Sequence, residues 1–226
     1  MSCDNLAEGI EELEPSELGT KEYWEKSYQL ELNNFSDHGD VGEVWFGEEA
    51  GMRMISWLVK NPDLVAPTDS ILDSGTGNGM LCVDMAREGF SNITGVDYCQ
   101  EAIDLADKVA KESGVEVKFE VGNILHMDSA ALKAKYKVVT DKGTFDAISL
   151  GGSAKEDKET YLRNTFNLLE ESGIFLITSC NWTKDELIKQ FEEYFHPHHV
   201  IPTPVFSFGG KTGNMVSSVV FKKRKS

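Results

Sequence analysis

The sequence predicts an α/β fold: a seven-stranded, mostly parallel sheet with helices on both faces and an antiparallel hairpin at its C-terminal end. Three observations carry this expectation. From residue 70 onward short β-rich runs alternate with helical stretches, a glycine-rich turn joins the first such run to the first such helix, and two β-rich runs flank a turn near the end. Parallel neighbours need crossover connections, so repeated βα units of this length place helices on both sides of one sheet.

Taken in order, Tyr23, Trp24, Tyr28, Leu32 and Phe35 have helical spacing between Thr20 and Phe35, and Met54, Ile55, Leu58 and Val59 make a second apolar stripe. Strands are expected at Ser70 to Asp73, Asn92 to Asp97, Glu116 to Val121, Lys137 to Asp141 and Gly173 to Ser179. Helices are expected between them at 79–89, 100–113, 155–171 and 183–195, whereas the gap from Gly122 to Lys137 holds only a short helix candidate. His199 to Phe208 and Met215 to Lys223 then flank Gly209-Gly210-Lys211-Thr212-Gly213 as the closing hairpin.

At 226 residues, 40 % of them hydrophobic, the chain can bury a substantial core, and a wholly disordered protein is excluded. Its net charge of −16 argues against nucleic acid, whose phosphate backbone rewards cations. No apolar run spans a membrane, and the N-terminus carries acids where a signal peptide needs positive charge, so a cytoplasmic protein is expected. The basic end Lys222-Lys223-Arg224-Lys225 leaves the nucleus as an alternative. Residues 1–18 hold six acids and no base, which predicts a mobile acidic tail. The remainder, 19–226, is expected to form one domain: a helical cover at 19–68, a cofactor-binding core at 69–195 and the hairpin at 196–226. The four cysteines lack CxxC spacing and the histidines at 196, 198 and 199 have no second ligand cluster, so no metal is expected. Cys82 and Cys180 have no histidine partner and read as structural thiols.

The most informative segment is Ile71-Leu72-Asp73-Ser74-Gly75-Thr76-Gly77-Asn78-Gly79, a strand running through three glycines into a helix. Asp97, 24 residues after Asp73, closes the second strand, where an acid can accept both hydroxyls of an adenosine ribose. This constellation suits nicotinamide dinucleotides and S-adenosylmethionine alike. Two details favour the second: the third glycine of G-x-G-x-x-G is replaced by Met80, and a carboxylate at Asp73 would repel a pyrophosphate but suits an amino group and a sulfonium. After the third strand, Asn123 is the candidate polar contact to adenine with Ile124 packing on the ring, although Gly122-Asn123 is also ordinary turn chemistry. Tyr98 is a candidate cover for the adenosine.

With Asp73 to Gly79, Asp97 and Asn123 in place, the chain resembles the class I, Rossmann-like, seven-stranded S-adenosylmethionine-dependent methyltransferases. The stretches Glu43-Val44-Trp45-Phe46-Gly47, Asp141-Lys142-Gly143-Thr144-Phe145-Asp146 and Thr178-Ser179-Cys180-Asn181-Trp182 are similar to those of protein-lysine methyltransferases acting on translation elongation factor 1-alpha. The resemblance, which covers about residues 18 to 223, implies methyl transfer from S-adenosylmethionine, with S-adenosylhomocysteine as product, to a lysine ε-amino group of that factor. A monomer is expected. A small-molecule N- or O-methyltransferase and a catalytically silent adenosine-binding interaction protein are the alternatives.

Methyl transfer needs an aligned, unprotonated nucleophile. Asp141, at the end of the fourth strand, is expected to reach the cofactor site and orient the amine or pass its proton to water, the competing reading being a cap on the following turn. Asn181 is expected to assist catalysis and, with Trp182 and Phe46, to line a substrate channel; core packing is the other reading of Trp182. Trp45 and Phe46 are expected to form a lid over the methionine end, and Trp24, Tyr28 and Trp57 to pack the N-terminal helices onto the sheet.

Overall fold

A computed structural model describes residues 10–208 and 211–225. Seven strands form the main sheet: β1 (Ile71–Ser74), β2 (Ile93–Asp97), β3 (Lys118–Val121), β4 (Tyr136–Lys142), β5 (Leu169–Ser179), β6 (Phe195–Ile201) and β9 (Ser217–Lys223). Their order is β3-β2-β1-β4-β5-β9-β6, parallel from β3 through β5, with β9 antiparallel to both β5 and β6. The strand order therefore reverses between β1 and β4. In an open α/β sheet that reversal opens a crevice beyond the carboxyl ends of the two strands.

Alternation along the strands builds two apolar layers. Leu72, Val139, Phe175, Ile177, Val219 and Phe221 face one side; Ile71, Val138, Ile174, Leu176 and Val220 face the other. On the first side Phe175, Phe191, Phe195 and Phe221 pack with centroids 5.1 to 6.3 Å apart, each contributing roughly 2–3 kcal/mol by burial. On the second, α2 (Glu48–Lys60) lays Met54, Ile55 and Leu58 against the sheet.

The helices follow their sequence signals. In α1 (Lys21–His38) Thr20 accepts the Tyr23 N–H, and Gly39, with φ 72°, ends the helix by donating to the Phe35 carbonyl. α3 (Met80–Arg87) and α4 (Gln100–Glu112) cover one face, and α4 buries Ala102, Ile103, Leu105, Ala106, Val109 and Ala110 along one side. After β4 comes α5 (Thr144–Ser149), then α6 (Ala154–Leu168) and α7 (Lys184–Phe191), the last held by a reciprocal cap between Thr183 and Glu186.

The expected antiparallel C-terminal hairpin forms, and three details differ from the sequence reading. The acidic segment does not stand apart as far as residue 18: Ile10 and Leu13 pack against the core, Glu12 pairs with Lys158 at 2.7 Å, and the Ser16 N–H donates to the Leu150 carbonyl. Residues 1–9 lie outside the described residues. The closing hairpin pairs β6 with β9, and its connection is no simple turn but contains a separate two-stranded ribbon, β7 (Val205–Phe208) with β8 (Lys211–Asn214). The expected turn residues Gly209 and Gly210 lie outside the described residues. Finally, α5 had no signal in the periodicity, because six residues are too few to show one.

Candidate active site

β1 ends in Asp73 and Ser74, and the chain turns through Gly75 (φ 66°) and Gly77 (φ 55°) before entering α3. Both glycines occupy the left-handed region, where a Cβ is unfavourable. Neither has room for one. A Cβ at Gly75 would strike the Thr144 hydroxyl, and one at Gly77 would lie 2.5 Å from Tyr28 Oη. The turn is stitched to β2: Gly75 and Thr76 donate to the Val96 carbonyl at 2.8 and 3.0 Å, and Gly77 N–H donates to Asp97 Oδ2 at 3.0 Å. Gly79 instead packs its bare α-carbon against Ala106 and Phe119.

A cavity of about 170 Å³ opens above this turn, at the β1/β4 reversal. Ser74 to Asn78, Val96 to Tyr98, Gly122 to Leu125 and Lys142 to Thr144 supply its sheet side. The N-terminal cover supplies Trp24, Tyr28, Glu43 and Trp45. Trp24 stacks on Tyr28 with centroids 5.9 Å apart and meets Trp45 at 4.9 Å, making a continuous aromatic wall.

The carboxylates near the cavity differ in what they have left to offer. Asp97 is buried, yet each oxygen accepts one backbone N–H, Gly77 on Oδ2 and Cys99 on Oδ1, both at 3.0 Å, which leaves acceptor capacity on both. Burial pushes its carboxyl up to about 6, against the pull of those N–H groups. Asp73 lies beneath the turn, not on the cavity lining: Thr140 Oγ1 donates to it at 2.8 Å and Cys82 Sγ at 3.6 Å, and burial raises its carboxyl too. Asp141 is wholly buried and also off the lining; it accepts the N–H groups of Gly143, Thr144 and Phe145 and the hydroxyl of Tyr161. Asp146 does similar work at the end of β5, receiving Ser179 Oγ and the Cys180 N–H.

A family model described as a methyltransferase domain matches residues 66–217. This chain belongs to that methyltransferase family. Among its relatives, human EEF1A lysine methyltransferase 2 is 44 % identical over 97 % of this methyltransferase and 92 % of its own length. The Saccharomyces cerevisiae protein-lysine N-methyltransferase EFM4 is 38 % identical over 96 % of this methyltransferase and 99 % of its own length. In fold it is similar to the magnesium protoporphyrin IX methyltransferase of Synechocystis PCC 6803 with bound SAM, at a TM-score of 0.58 and 15 % identity, covering 88 % of this chain and 97 % of the other.

The residues present fit S-adenosylmethionine, the cofactor of this methyltransferase. The buried Asp97 offers two acceptor oxygens at the end of β2, as a ribose diol requires, and the turn through Gly75 and Gly77 brings bare backbone to the cavity lining. Among the described residues lining the cavity Lys142 is the one lysine or arginine, a poor provision for a pyrophosphate.

Of the residues expected at the site, the structure brings Trp45, Gly75, Gly77, Asp97, Tyr98, Asn123 and Ile124 together around the cavity. Asn123 also makes the ordinary turn, its Oδ1 accepting the Leu125 N–H at 2.9 Å. Asp73, Gly79, Phe46, Asp141, Asn181 and Trp182 are not on the lining. For Asp141 the cap on the following helix forms, with each carboxylate oxygen already accepting two donors. Trp182 is core: it is buried, packs on Phe145 and donates Nε1 to Ser149 Oγ at 3.2 Å. Asn181 turns with it, its N–H donating to Ser179 Oγ and its Oδ1 facing the Cys180 thiol. Trp57 packs the helical cover as expected, but Trp24 and Tyr28 also wall the cavity. Lys142 and Asn78 were missed, though the first directly follows a singled-out aspartate and the second lies inside the glycine turn.

Proposed function

We propose that this methyltransferase transfers a methyl group from S-adenosylmethionine to the ε-amino group of a lysine on translation elongation factor 1-alpha. The observation that carries the reading is identity of 38 to 45 % over nearly the whole chain to relatives named as EEF1A lysine methyltransferases or protein-lysine N-methyltransferases, in a chain whose cleft fits the cofactor. Bound in the cleft, the cofactor supplies an electrophilic methyl group on a sulfonium.

The chain's own residues do the rest. Asp97 accepts the ribose hydroxyls, Ile124 and Tyr98 flank the adenine, and the second lone pair of Asn123 Oδ1 receives the exocyclic amine. Gly75 and Gly77 hold the left-handed turn that presents backbone to the cleft. Trp45, Trp24 and Tyr28 form the wall against which the methylene stem of a lysine packs. A lysine ammonium, with a reference pKa of about 10.4, has no lone pair to attack with. Desolvation against the aromatic wall favours its neutral form, and the proton leaves to water.

The acidic surface suits a basic protein substrate and raises the rate of encounter more than the final affinity. We further take the enzyme to be a monomer that acts in the cytoplasm without binding nucleic acid, which sedimentation, cell fractionation and gel-shift experiments check.

The direct test incubates the protein with methyl-labelled cofactor and purified elongation factor 1-alpha, followed by peptide mapping. Label on a lysine is the expected result. Label on small metabolites alone would establish the small-molecule enzyme instead, and cofactor binding without turnover would establish a silent module.

A further inference from the structure

The segment from Val41 to Gly47 crosses the cavity as a strap with little regular structure, and polar side chains tie it to the body. Glu31 Oε1, on α1, accepts the Glu43 N–H at 3.1 Å. Asn78, inside the glycine turn, donates Nδ2 to the carbonyls of Val41 and Glu43 at 3.0 and 3.3 Å. Lys142, at the end of β4, donates Nζ to the Trp45 carbonyl at 3.0 Å. Next to that anchor Phe46 has φ 63°, a left-handed conformation that a side-chain-bearing residue keeps only where its surroundings hold it. Its ring lies over Gly143, where a Cβ would come within 3.1 Å of it, and 6.0 Å from Lys142 Nζ.

We propose that Lys142 is a positioning residue for methyl transfer: its ammonium anchors the Trp45 carbonyl and so fixes the Trp45 ring as a wall of the cofactor cavity. The inference rests on the reading of this cavity as the cofactor site. A charged donor holds a carbonyl more firmly than a neutral one, and this contact joins two segments 97 residues apart. Burial lowers the Lys142 pKa, but the carboxylates of Asp73 and Asp141 oppose that shift and favour the charge. Asn78 ties the strap to the glycine turn and Lys142 ties it to β4, so the two elements that border the cofactor also hold its cover.

The test needs no methyl acceptor. Hydrogen–deuterium exchange over residues 41–47 and calorimetric titration with S-adenosylhomocysteine are compared for the wild type, Lys142→Met and Lys142→Arg. Loss of a charged hydrogen bond should speed exchange in the strap and weaken binding, each by about tenfold, in the methionine variant. Arginine, which also donates, should restore most of both. Lys142→Gln, with a neutral donor, replaces the methionine variant if thermal unfolding shows that it has lost its fold. Unchanged exchange in 41–47 overturns the proposal, and if affinity falls all the same, Lys142 touches the cofactor itself. Faster exchange with unchanged affinity also overturns it, because Trp45 would then not be a wall. Failure of the wild type to bind the ligand would refute the cofactor site, while the exchange comparison would still report on the anchor.

Discussion

The Tyr161 hydroxyl donates to Asp141 Oδ2 at 2.5 Å, and the same carboxylate accepts three consecutive N–H groups from Gly143, Thr144 and Phe145 at 3.0 to 3.1 Å. Asp141 thereby fastens the end of β4 to the start of α5 and to α6. The lining segment Lys142 to Thr144 takes its shape from this buried knot.

Asp141→Ala should therefore act first on stability. It leaves several buried donors without an acceptor, a loss of about 3 kcal/mol or more, while Tyr161→Phe removes one donor and should cost about 1–2 kcal/mol. Urea unfolding measures both. An Asp141→Ala protein as stable as the wild type but unable to transfer methyl would return the carboxylate to the chemistry.

Cofactor affinity should depend on pH through Asp97. Its carboxyl, pushed up to about 6 by burial, binds ribose hydroxyls best when ionised. Affinity for S-adenosylhomocysteine should hold above pH 6 and fall below it, by up to about tenfold per pH unit, until the pKa of the bound form is reached. The effect on folding has the opposite sense. The folded state holds this proton more tightly than the unfolded chain, whose reference value is about 3.9, so Asp97 lowers stability as pH rises from about 4 to about 6. Calorimetry from pH 5 to 8 tests the binding limb, and Asp97→Asn should flatten it.

Gly77→Ala combines a left-handed backbone, costing about 1–2 kcal/mol for a residue with a Cβ, with a contact 2.5 Å from Tyr28 Oη. Binding of S-adenosylhomocysteine should weaken about tenfold. Adding Tyr28→Phe removes the struck oxygen and should recover part of the loss, whereas additive or worse effects in the double variant would mean that the two residues do not meet.

Trp182→Ala should destabilise the protein by about 3–5 kcal/mol, because the ring fills core between Phe145 and Lys158. Trp182→Phe, which keeps most of the volume, should leave the KM for elongation factor 1-alpha unchanged at saturating cofactor; a marked rise in that KM would support the channel reading.

The contrast between Asp97 and Asp141 shows what the sequence could disclose. The glycine turn, its flanking strand and Asp97 form one local pattern, and local spacing is enough to bring them together. Asp141 and Lys142 are also adjacent at a strand end, but successive side chains of a strand point to opposite faces. The sequence marks Asp141 at this strand end and leaves Lys142 unmarked, whereas in the structure Asp141 turns inward to cap α5 and Lys142 reaches the cavity. Composition and periodicity do not say which of the two faces is covered. Trp24 and Tyr28 pose the same problem, since helical spacing marks an apolar face without telling a core from a cofactor wall. The strap's anchors at Asn78 and Lys142 connect residues 35 to 97 positions apart, a distance over which no spacing rule operates.

Methylation of elongation factor 1-alpha by this cleft is the central proposal. Mass spectrometry of the purified factor, after incubation with S-adenosylmethionine and either the wild type or Asp97→Ala, tests this most directly. Wild type should add the mass of one or more methyl groups to a lysine-containing peptide, and Asp97→Ala should add far less at the same enzyme concentration. An unmodified factor with the wild type, or equal modification by both proteins, would contradict the account.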